Sequence, residues 1–291
     1  MIKFVKMFNQ QPGPEDEAII TPRRGRRELP ISPRLIMTFT RADYLDLCRL
    51  TEAKDKPRAI ADCPIREGCW QGQSITIAGP ALGAPYAVLV LEKLIAWGAR
   101  LVLTLGWCGS LQGNVKIGDL VLPESAYSEE GTSTHYPVDW PQPQPDADLA
   151  QLLHQQLAQA GQDYRAGAIW TTDAFYRETT QKVKQYGALG ILAVEMEMSA
   201  LFTVSRYRSI PLAGLLVVSD ELATLTWRHG FREPRLLQAR QQAARIILDT
   251  AVIWEDNDKG PETGNKDDGR PGTGDGGNGF YAPVPRLPAP V

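Results

Sequence analysis

Histidine and cysteine are scarce in this chain. The three histidines (His135, His154, His229) form no HxxxH pair, and the four cysteines (Cys48, Cys63, Cys69, Cys108) form no CxxC pair. Cys63 and Cys69 also fall outside the usual spacing of a zinc knuckle. A metal site and a disulfide framework are therefore not expected; four free thiols in a reducing, cytoplasmic setting are. The N-terminus "MIKFVKMFNQQPGPEDE" lacks a long apolar stretch of the kind a secretory signal carries, and no run is long enough to span a bilayer. An excess of one charge is missing too. The formal net charge is −3, which gives no overall attraction to nucleic acid or to an anionic membrane. The basic run "TPRRGRRELP" (residues 21–30) is the local exception and reads as a solvated loop.

Both ends look like additions. Residues 1–32 mix Pro, Gly, Arg and acids without periodicity, and residues 256–291 are rich in Gly, Pro, Asp and Lys. A segment of that second kind buries too little surface to offset its ordering entropy, so disorder is expected. Between them, residues 33–255 alternate apolar strands with amphipathic helices. Strands are expected at "RLIMTF", "SITIAG", "RLVLTLG", "GDLVLPESAYS", "YRAGAIWTTD", "ILAVEME" and "LAGLLVVSD". Helices are expected at "RADYLDLCRL", "PYAVLVLEKLIAWG", "DADLAQLLHQQLAQAG", "MSALFTVSRYR" and "PRLLQARQQAARIILDTAVIW". Strands that are apolar throughout are covered on both faces. The expected fold is α/β, a three-layer helix–sheet–helix arrangement around a mostly parallel or mixed sheet.

In such sheets ligands bind beyond the carboxyl ends of the strands. Polar or small residues stand there in four places: Gly106–Ser110, Thr171–Asp173, Glu195–Glu197 and Ser219–Asp220. Glu195 and Glu197 need a reason, because they sit inside the apolar run "ILAVEMEMSALF" and an unpaired buried carboxylate is costly. On an extended strand the two side chains share a face, roughly 6–7 Å apart. Ion pairs with an arginine such as Arg177, a metal site, a glycosidase acid/base pair and a bidentate acceptor for a vicinal diol all fit two carboxylates. For the diol, each charge-assisted hydrogen bond contributes ~1.5–3 kcal/mol.

"AVEMEMSALF" resembles the V-E-M-E segment of the nucleoside phosphorylase/nucleosidase superfamily, which includes the purine nucleoside and uridine phosphorylases. "TLGWCGSLQGNVKIGDLVLP", "EGTSTHY", "WTTDAFYRET" and "LLVVSDEL" resemble further segments of that family, in its order. The likeness runs along most of residues 34–252. It implies cleavage of the N-glycosidic bond of a nucleoside by phosphate, giving free base and ribose 1-phosphate, with inorganic phosphate as co-substrate and no cofactor. It implies that Glu197 binds the ribose hydroxyls, that Met196 packs under the sugar and that Phe175 lies against the base. Asp220 is then the general acid, or hydrogen-bond partner, at N7 of a purine. Glu195, Arg177, Gly106, Cys108 and Gly109 fall on the substrate side of the same site. A homo-oligomer is implied in the same way.

The chain departs from the family where phosphate binds. The phosphorylases' arginine two residues before the first glycine of G-x-x-G is Thr104 here, and the serine or threonine after that glycine is Trp107. The G-D-P-x-R loop is absent, and Arg41 in "MTFTRADYL" is the remaining candidate cation, with Arg177 and the Gly106 and Gly109 backbone beside it. Hydrolysis by a nucleosidase is therefore an alternative, although Asp43 matches its catalytic glutamate poorly. A nucleoside-binding module without turnover is the third reading. The aspartate of "VSD", and the lack of a clear uracil-reading glutamine–arginine pair, favour a purine over uridine.

Overall fold

The computed structural model describes residues 18–254, apart from residues 55 and 139. The expected disordered tail, 256–291, lies outside the described residues, as do residues 1–17 of the N-terminal extension. The rest of that extension docks. Glu28 accepts hydrogen bonds from Lys93 Nζ (2.9 Å) and Trp97 Nε1 (2.8 Å), and Ile31 is buried. The side chains of the basic run 21–30 are mostly exposed, as a solvated loop requires.

The described residues form one mixed sheet of ten strands with six α-helices. The strands are β1 (Arg34–Thr38), β2 (Arg58–Ile60), β3 (Cys63–Trp70), β4 (Gln73–Ala78), β5 (Leu101–Ser110), β6 (Leu120–Glu129), β7 (Tyr164–Thr172), β8 (Ala193–Glu195), β9 (Leu212–Glu221) and β10 (Arg228–His229). Their order is β10-β9-β6-β7-β8-β5-β1-β4-β3-β2, and β5 also pairs with β9. That extra pairing closes β5, β9, β6, β7 and β8 into a ring. β5 joins the ring to the open sheet: Leu101–Leu105 pair with β1, whereas Gly109 and Ser110 pair with Val194 and Ala193 of β8. Its carboxyl half is thereby fixed between β8 and β9.

The helices are α1 (Arg41–Leu50), α2 (Ala84–Trp97), α3 (Ala147–Gln159), α4 (Thr180–Ala188), α5 (Met198–Tyr207) and α6 (Pro234–Ile253). Their ends follow local chemistry. Thr40 caps α1 by accepting from the Asp43 N–H, Asp146 caps α3 by accepting from the Leu149 N–H, and Gly98 ends α2 at φ 122°. α2 packs on α5, and α6 packs on α1 and α3. The two groups cover opposite faces: along β5, Thr104 meets Met198 of α5, while the Trp107 ring carries Arg240 of α6. This is the expected helix–sheet–helix layering. All ten residues of β9 are buried. No helix among the described residues is long and apolar enough to cross a membrane.

One expected strand is corrected. The run 191–197 is extended only over Ala193–Glu195 and turns at Met196, so that Glu197 is the N-cap residue of α5 at φ −135°, ψ −37°. Glu195 and Glu197 therefore do not share a strand face. The β2–β3 hairpin, α4 and β10 were not read from the sequence. β3, "CPIREGCW", runs near the sheet edge with a mixed burial pattern and shows neither clean alternation nor a continuous apolar run.

Candidate active site

The N-terminus of α5 explains the two glutamates. Glu195 Oε2 accepts from the backbone N–H of Glu197 (2.7 Å) and of Met198 (2.8 Å), and Oε1 accepts from the Thr171 hydroxyl. It thus satisfies N–H groups that a helix start leaves unpaired. These bonds make its burial tolerable and leave it a structural part rather than a ligand-facing one. Glu197 differs. Its Oε1 accepts from the Gly83 N–H at 2.6 Å. Gly83 holds φ 88°, ψ 143°, a conformation open to glycine, which turns its N–H toward the carboxyl group. Burial, and then the Glu195 charge, push Glu197 well above the usual carboxylate range. Hydroxyl donors on its free oxygen would favour the charged form again. Met196 is half-buried beside it.

A third acid, Glu130, was not singled out in the sequence. It is buried and accepts from the hydroxyls of Ser128 (2.7 Å), Ser199 (3.0 Å) and Ser133, and from the Ser133 N–H (3.0 Å). These bonds tie the "EGTSTHY" loop to α5. The Gly131 N–H donates to Asp173 at 2.9 Å and ties the same loop to "WTTDAFYRET".

Asp220 stands on the other side of β5, and a β-bulge aims it. Cys108 pairs with Val218 but Gly109 pairs with Asp220, so Ser219 is the extra residue of β9. Bulges re-aim side chains in this way. Asp220 Oδ1 accepts from Ser219 Oγ (2.6 Å) and Oδ2 from Trp227 Nε1 (3.0 Å). Burial raises its pKa, and the two donors and the His229 charge oppose that rise. Trp227 also meets Phe175 edge-on, with ring centroids 6.0 Å apart, and packs with His229 and Phe231. Phe175, Trp227 and Phe231 are all solvent-exposed and make an aromatic wall next to Asp220.

Cys108 lies between the two halves. It is buried, and burial followed by the charges of Asp220 and Glu195 push its thiol well up. Gly109 is required by this packing. A methyl group there would lie 2.8 Å from Asp220 Oδ2 and 2.6 Å from Leu222 Cδ1, both buried side chains. Gly109→Ala is therefore expected to cost about 1–3 kcal/mol of stability and to displace Asp220, lowering kcat by about 10²-fold. Steady-state kinetics beside a melting curve checks this. At Gly106 the added methyl would meet the Phe39 ring at 2.7 Å, so that glycine serves the close packing of the strand.

The residues at the expected phosphate positions are turned to packing. Thr104 is fully buried, with its hydroxyl 3.3 Å from Met198 Sδ. Trp107 stacks with Phe231 at 5.9 Å, and its indole N–H is buried without a partner among the described residues. The Arg240 guanidinium lies 5.3 Å from the Trp107 ring centre and bonds Asp43 (2.7 Å) and Asp46 (3.0 Å). Asp43 is buried in that pair and also accepts from Thr40 Oγ1 at 2.7 Å, which removes it as a candidate base. Removing one partner of a buried pair leaves a buried charge behind. Arg240→Leu is expected to cost about 3–5 kcal/mol of folding stability in chemical denaturation. Arg41, at the first position of α1, and Arg177, in the short 3₁₀ turn Phe175–Arg177, are exposed.

The structure thus brings Glu197, Met196, Cys108, Gly109, Asp220 and Phe175 around the carboxyl ends of β5, β8 and β9. It sets Glu195, Thr104 and Gly106 apart as structural residues. Sequence reasoning missed Trp227 and Gly83. A signal for the first existed, since Trp227, His229 and Phe231 alternate along "TWRHGF" and so share one face of an extended segment.

Relatives share this arrangement of the chain. A purine nucleoside phosphorylase of the DeoD type from Exiguobacterium sp. is 30% identical over 188 residues, covering 64% of this chain and 78% of that one. A guanosine phosphorylase from Halorubrum lacusprofundi is 30% identical over 178 residues, covering 61% and 72%. The crystal structure of uridine phosphorylase from Vibrio fischeri superposes with a TM-score of 0.67 at 26% identity, covering 77% of this chain and 93% of that one. That of a purine nucleoside phosphorylase from Toxoplasma gondii, at 19% identity and a TM-score of 0.73 over 82% and 98%, shares the fold. Residues 33–252 match the phosphorylase superfamily as a whole, and the chain is a member of that family.

Proposed function

We propose that this protein is a nucleoside phosphorylase, a pentosyltransferase that cleaves the N-glycosidic bond of a nucleoside, with a purine preferred over uracil. The observation that carries the reading is Asp220 beside the buried Cys108 and under the Phe175–Trp227 wall, with Glu197 at the start of α5 next to Glu195, the other carboxylate whose charge reaches Cys108. Glu197, whose carboxyl group accepts from the Gly83 N–H, takes the ribose hydroxyls over Met196. Phe175 and Trp227 take the base, for which stacking contributes ~1–3 kcal/mol by analogy with nucleic-acid bases. Asp220 meets the leaving base. As the C1′–N bond breaks, its electron pair moves to the base, and a phosphate oxygen bonds to C1′. Arg41 and Arg177 are the exposed cations proposed for phosphate, with backbone N–H groups near Gly109. A homo-oligomer acting in the cytoplasm belongs to the same reading. The names of the relatives at 30% identity support the purine preference.

A second reading, hydrolysis with water in the place of phosphate, is favoured by one feature: Thr104 and Trp107 stand where the phosphorylases carry an arginine and a hydroxyl, and the nearby Arg240 is paired with Asp43 and Asp46. Incubating the purified protein with purine and pyrimidine nucleosides, with and without phosphate, and following free base by chromatography separates the two. Phosphate-dependent release with ribose 1-phosphate as co-product is expected. Equal release without phosphate would make the protein a nucleosidase. Binding with no release from any nucleoside would leave a binding module.

A further inference from the structure

Glu130 has no part in the scheme above, yet it is a buried carboxylate met by donors from three segments. Its Oε1 accepts from the hydroxyls of Ser128 (2.7 Å), Ser133 and Ser199 (3.0 Å), and its Oε2 accepts from the Ser133 N–H (3.0 Å). Ser128 lies near the end of β6, Ser133 in the 3₁₀ turn Thr132–His135, and Ser199 in the first turn of α5. A carboxylate accepts on both oxygens, and its charge-assisted bonds are roughly twice as strong as neutral ones. It holds these segments together more firmly than a neutral side chain can.

Ser199 connects this cluster to the site. It stands two residues after Glu197. Its hydroxyl donates to Glu130, and its N–H donates to Thr171 Oγ1 at 3.1 Å. The Thr171 hydroxyl donates to Glu195, which accepts from the Glu197 and Met198 N–H groups. The backbone that carries Glu197 is thereby pinned from two sides, by Glu195 at the end of β8 and by Glu130 from the loop. The loop itself is footed on the base side of the cleft. The Gly131 N–H donates to Asp173 (2.9 Å), two residues before Phe175. One short loop thus spans from the helix turn of Glu197 to the turn of Phe175.

We propose that Glu130 is the positioning residue of Glu197. It fixes the first turn of α5 against the loop, so that the Glu197 carboxyl group meets the 2′ and 3′ hydroxyls of a ribonucleoside whose base lies on Phe175. The proposal rests on the reading of the cleft as a nucleoside site. Glu130 acts through Ser199 and the α5 backbone, not on the substrate. Glutamine cannot replace it. If the amide oxygen meets the three hydroxyls, the amide nitrogen faces the Ser133 N–H, donor against donor. If the amide is reversed, its nitrogen faces the hydroxyls that donated to Glu130. Either way the link to α5 weakens, and a misplacement of about 1 Å in a reacting geometry costs about 10²-fold in rate.

The test is a double-mutant cycle of Glu130→Gln and Glu197→Gln on the full chain. It reads kcat/KM for the ribonucleoside that the wild type cleaves fastest and for its 2′,3′-dideoxy analogue. Glu130→Gln is expected to lower kcat/KM for the ribonucleoside by about 10–10²-fold and to leave the dideoxy analogue within about twofold of wild type. The double variant is expected to lose no more than Glu197→Gln alone, because residues that act through one contact are not additive. Ser199→Ala removes the α5 hydroxyl and leaves Ser128 and Ser133 on Glu130. It is expected to give the same pattern at smaller size, and it carries the test if Glu130→Gln does not fold. A residue that only supported the fold would lower both substrates alike. Equal losses on both substrates, additive losses in the double variant, or a Ser199→Ala indistinguishable from wild type overturn the proposal and leave the nucleoside site standing. A wild type that cleaves no nucleoside, with or without phosphate, overturns the reading of the site and the proposal with it.

Discussion

Glu197→Gln is expected to lower kcat/KM for nucleoside cleavage by about 10²–10⁴-fold. Two charge-assisted hydrogen bonds to the ribose diol contribute ~1.5–3 kcal/mol each, and every ~1.36 kcal/mol is a factor of ten in rate. The amide keeps the length of the side chain, and its oxygen still accepts from the Gly83 N–H. It loses the charge on which the diol bonds depend. The loss should be specific to the sugar. A 2′,3′-dideoxynucleoside makes neither bond, so wild type and variant are expected to handle it equally poorly. Steady-state kinetics on the two nucleosides measures the difference. Equal losses for both would mean that Glu197 supports the fold of the α5 N-terminus and does not read the sugar.

Asp220→Asn is expected to have the second large effect, a fall in kcat of about 10²–10³-fold with little change in KM. Negative charge builds on the base as it takes the C1′–N electron pair, and Asp220, whose carboxyl group burial raises, relieves it by donating a proton or hydrogen bond only as that charge develops. The change is nearly isosteric. The Asn oxygen still accepts one of the two donors, Ser219 Oγ or Trp227 Nε1, while its amide group faces the other. Trp227 is exposed, and the buried Ser219 hydroxyl can donate to the Cys108 carbonyl oxygen at 3.3 Å instead, so folding should survive. A KM that rises with kcat unchanged would mean that Asp220 contributes uniform binding of substrate and transition state.

Most of the fold was legible because its strongest signals are local. Apolar runs such as "RLVLTLG" and "LAGLLVVSD" become β5 and β9, buried on both faces, and Asp146, Thr40, Pro85 and Gly98 mark helix ends by their own chemistry. What was not legible depends on contacts between distant segments. The ring closed by β5 and β9 needs two strands more than a hundred positions apart to pair along their whole length. The β2–β3 hairpin has too irregular a burial pattern to announce itself.

The site divides in the same way. Glu197, Asp220 and Phe175 stand out as candidates in the sequence because each ends an apolar strand or follows one closely. The distinct roles of Glu195 and Glu197 were not found, because they depend on where the strand stops. One residue of additional strand would have made them a pair on one face; the turn at Met196 makes Glu195 a helix cap and frees Glu197. Likewise Thr104 and Trp107 occupy positions known from the family, yet the strand's alternation sends one to Met198 and the other to Arg240 and Phe231. Trp227 holds Asp220 from seven residues further along the chain, across the turn that leads from β9 into β10. That contact depends on the turn geometry, which the sequence alone does not specify.

The most direct measurement is a crystal structure of the protein with a bound purine nucleoside or its cleaved products. The ribose 2′ and 3′ hydroxyls are expected within hydrogen-bond distance of Glu197, the base against Phe175 and Trp227, and a polar base atom at Asp220. A nucleoside bound elsewhere, or one whose ribose hydroxyls face away from Glu197, would refute the assignment of this cleft.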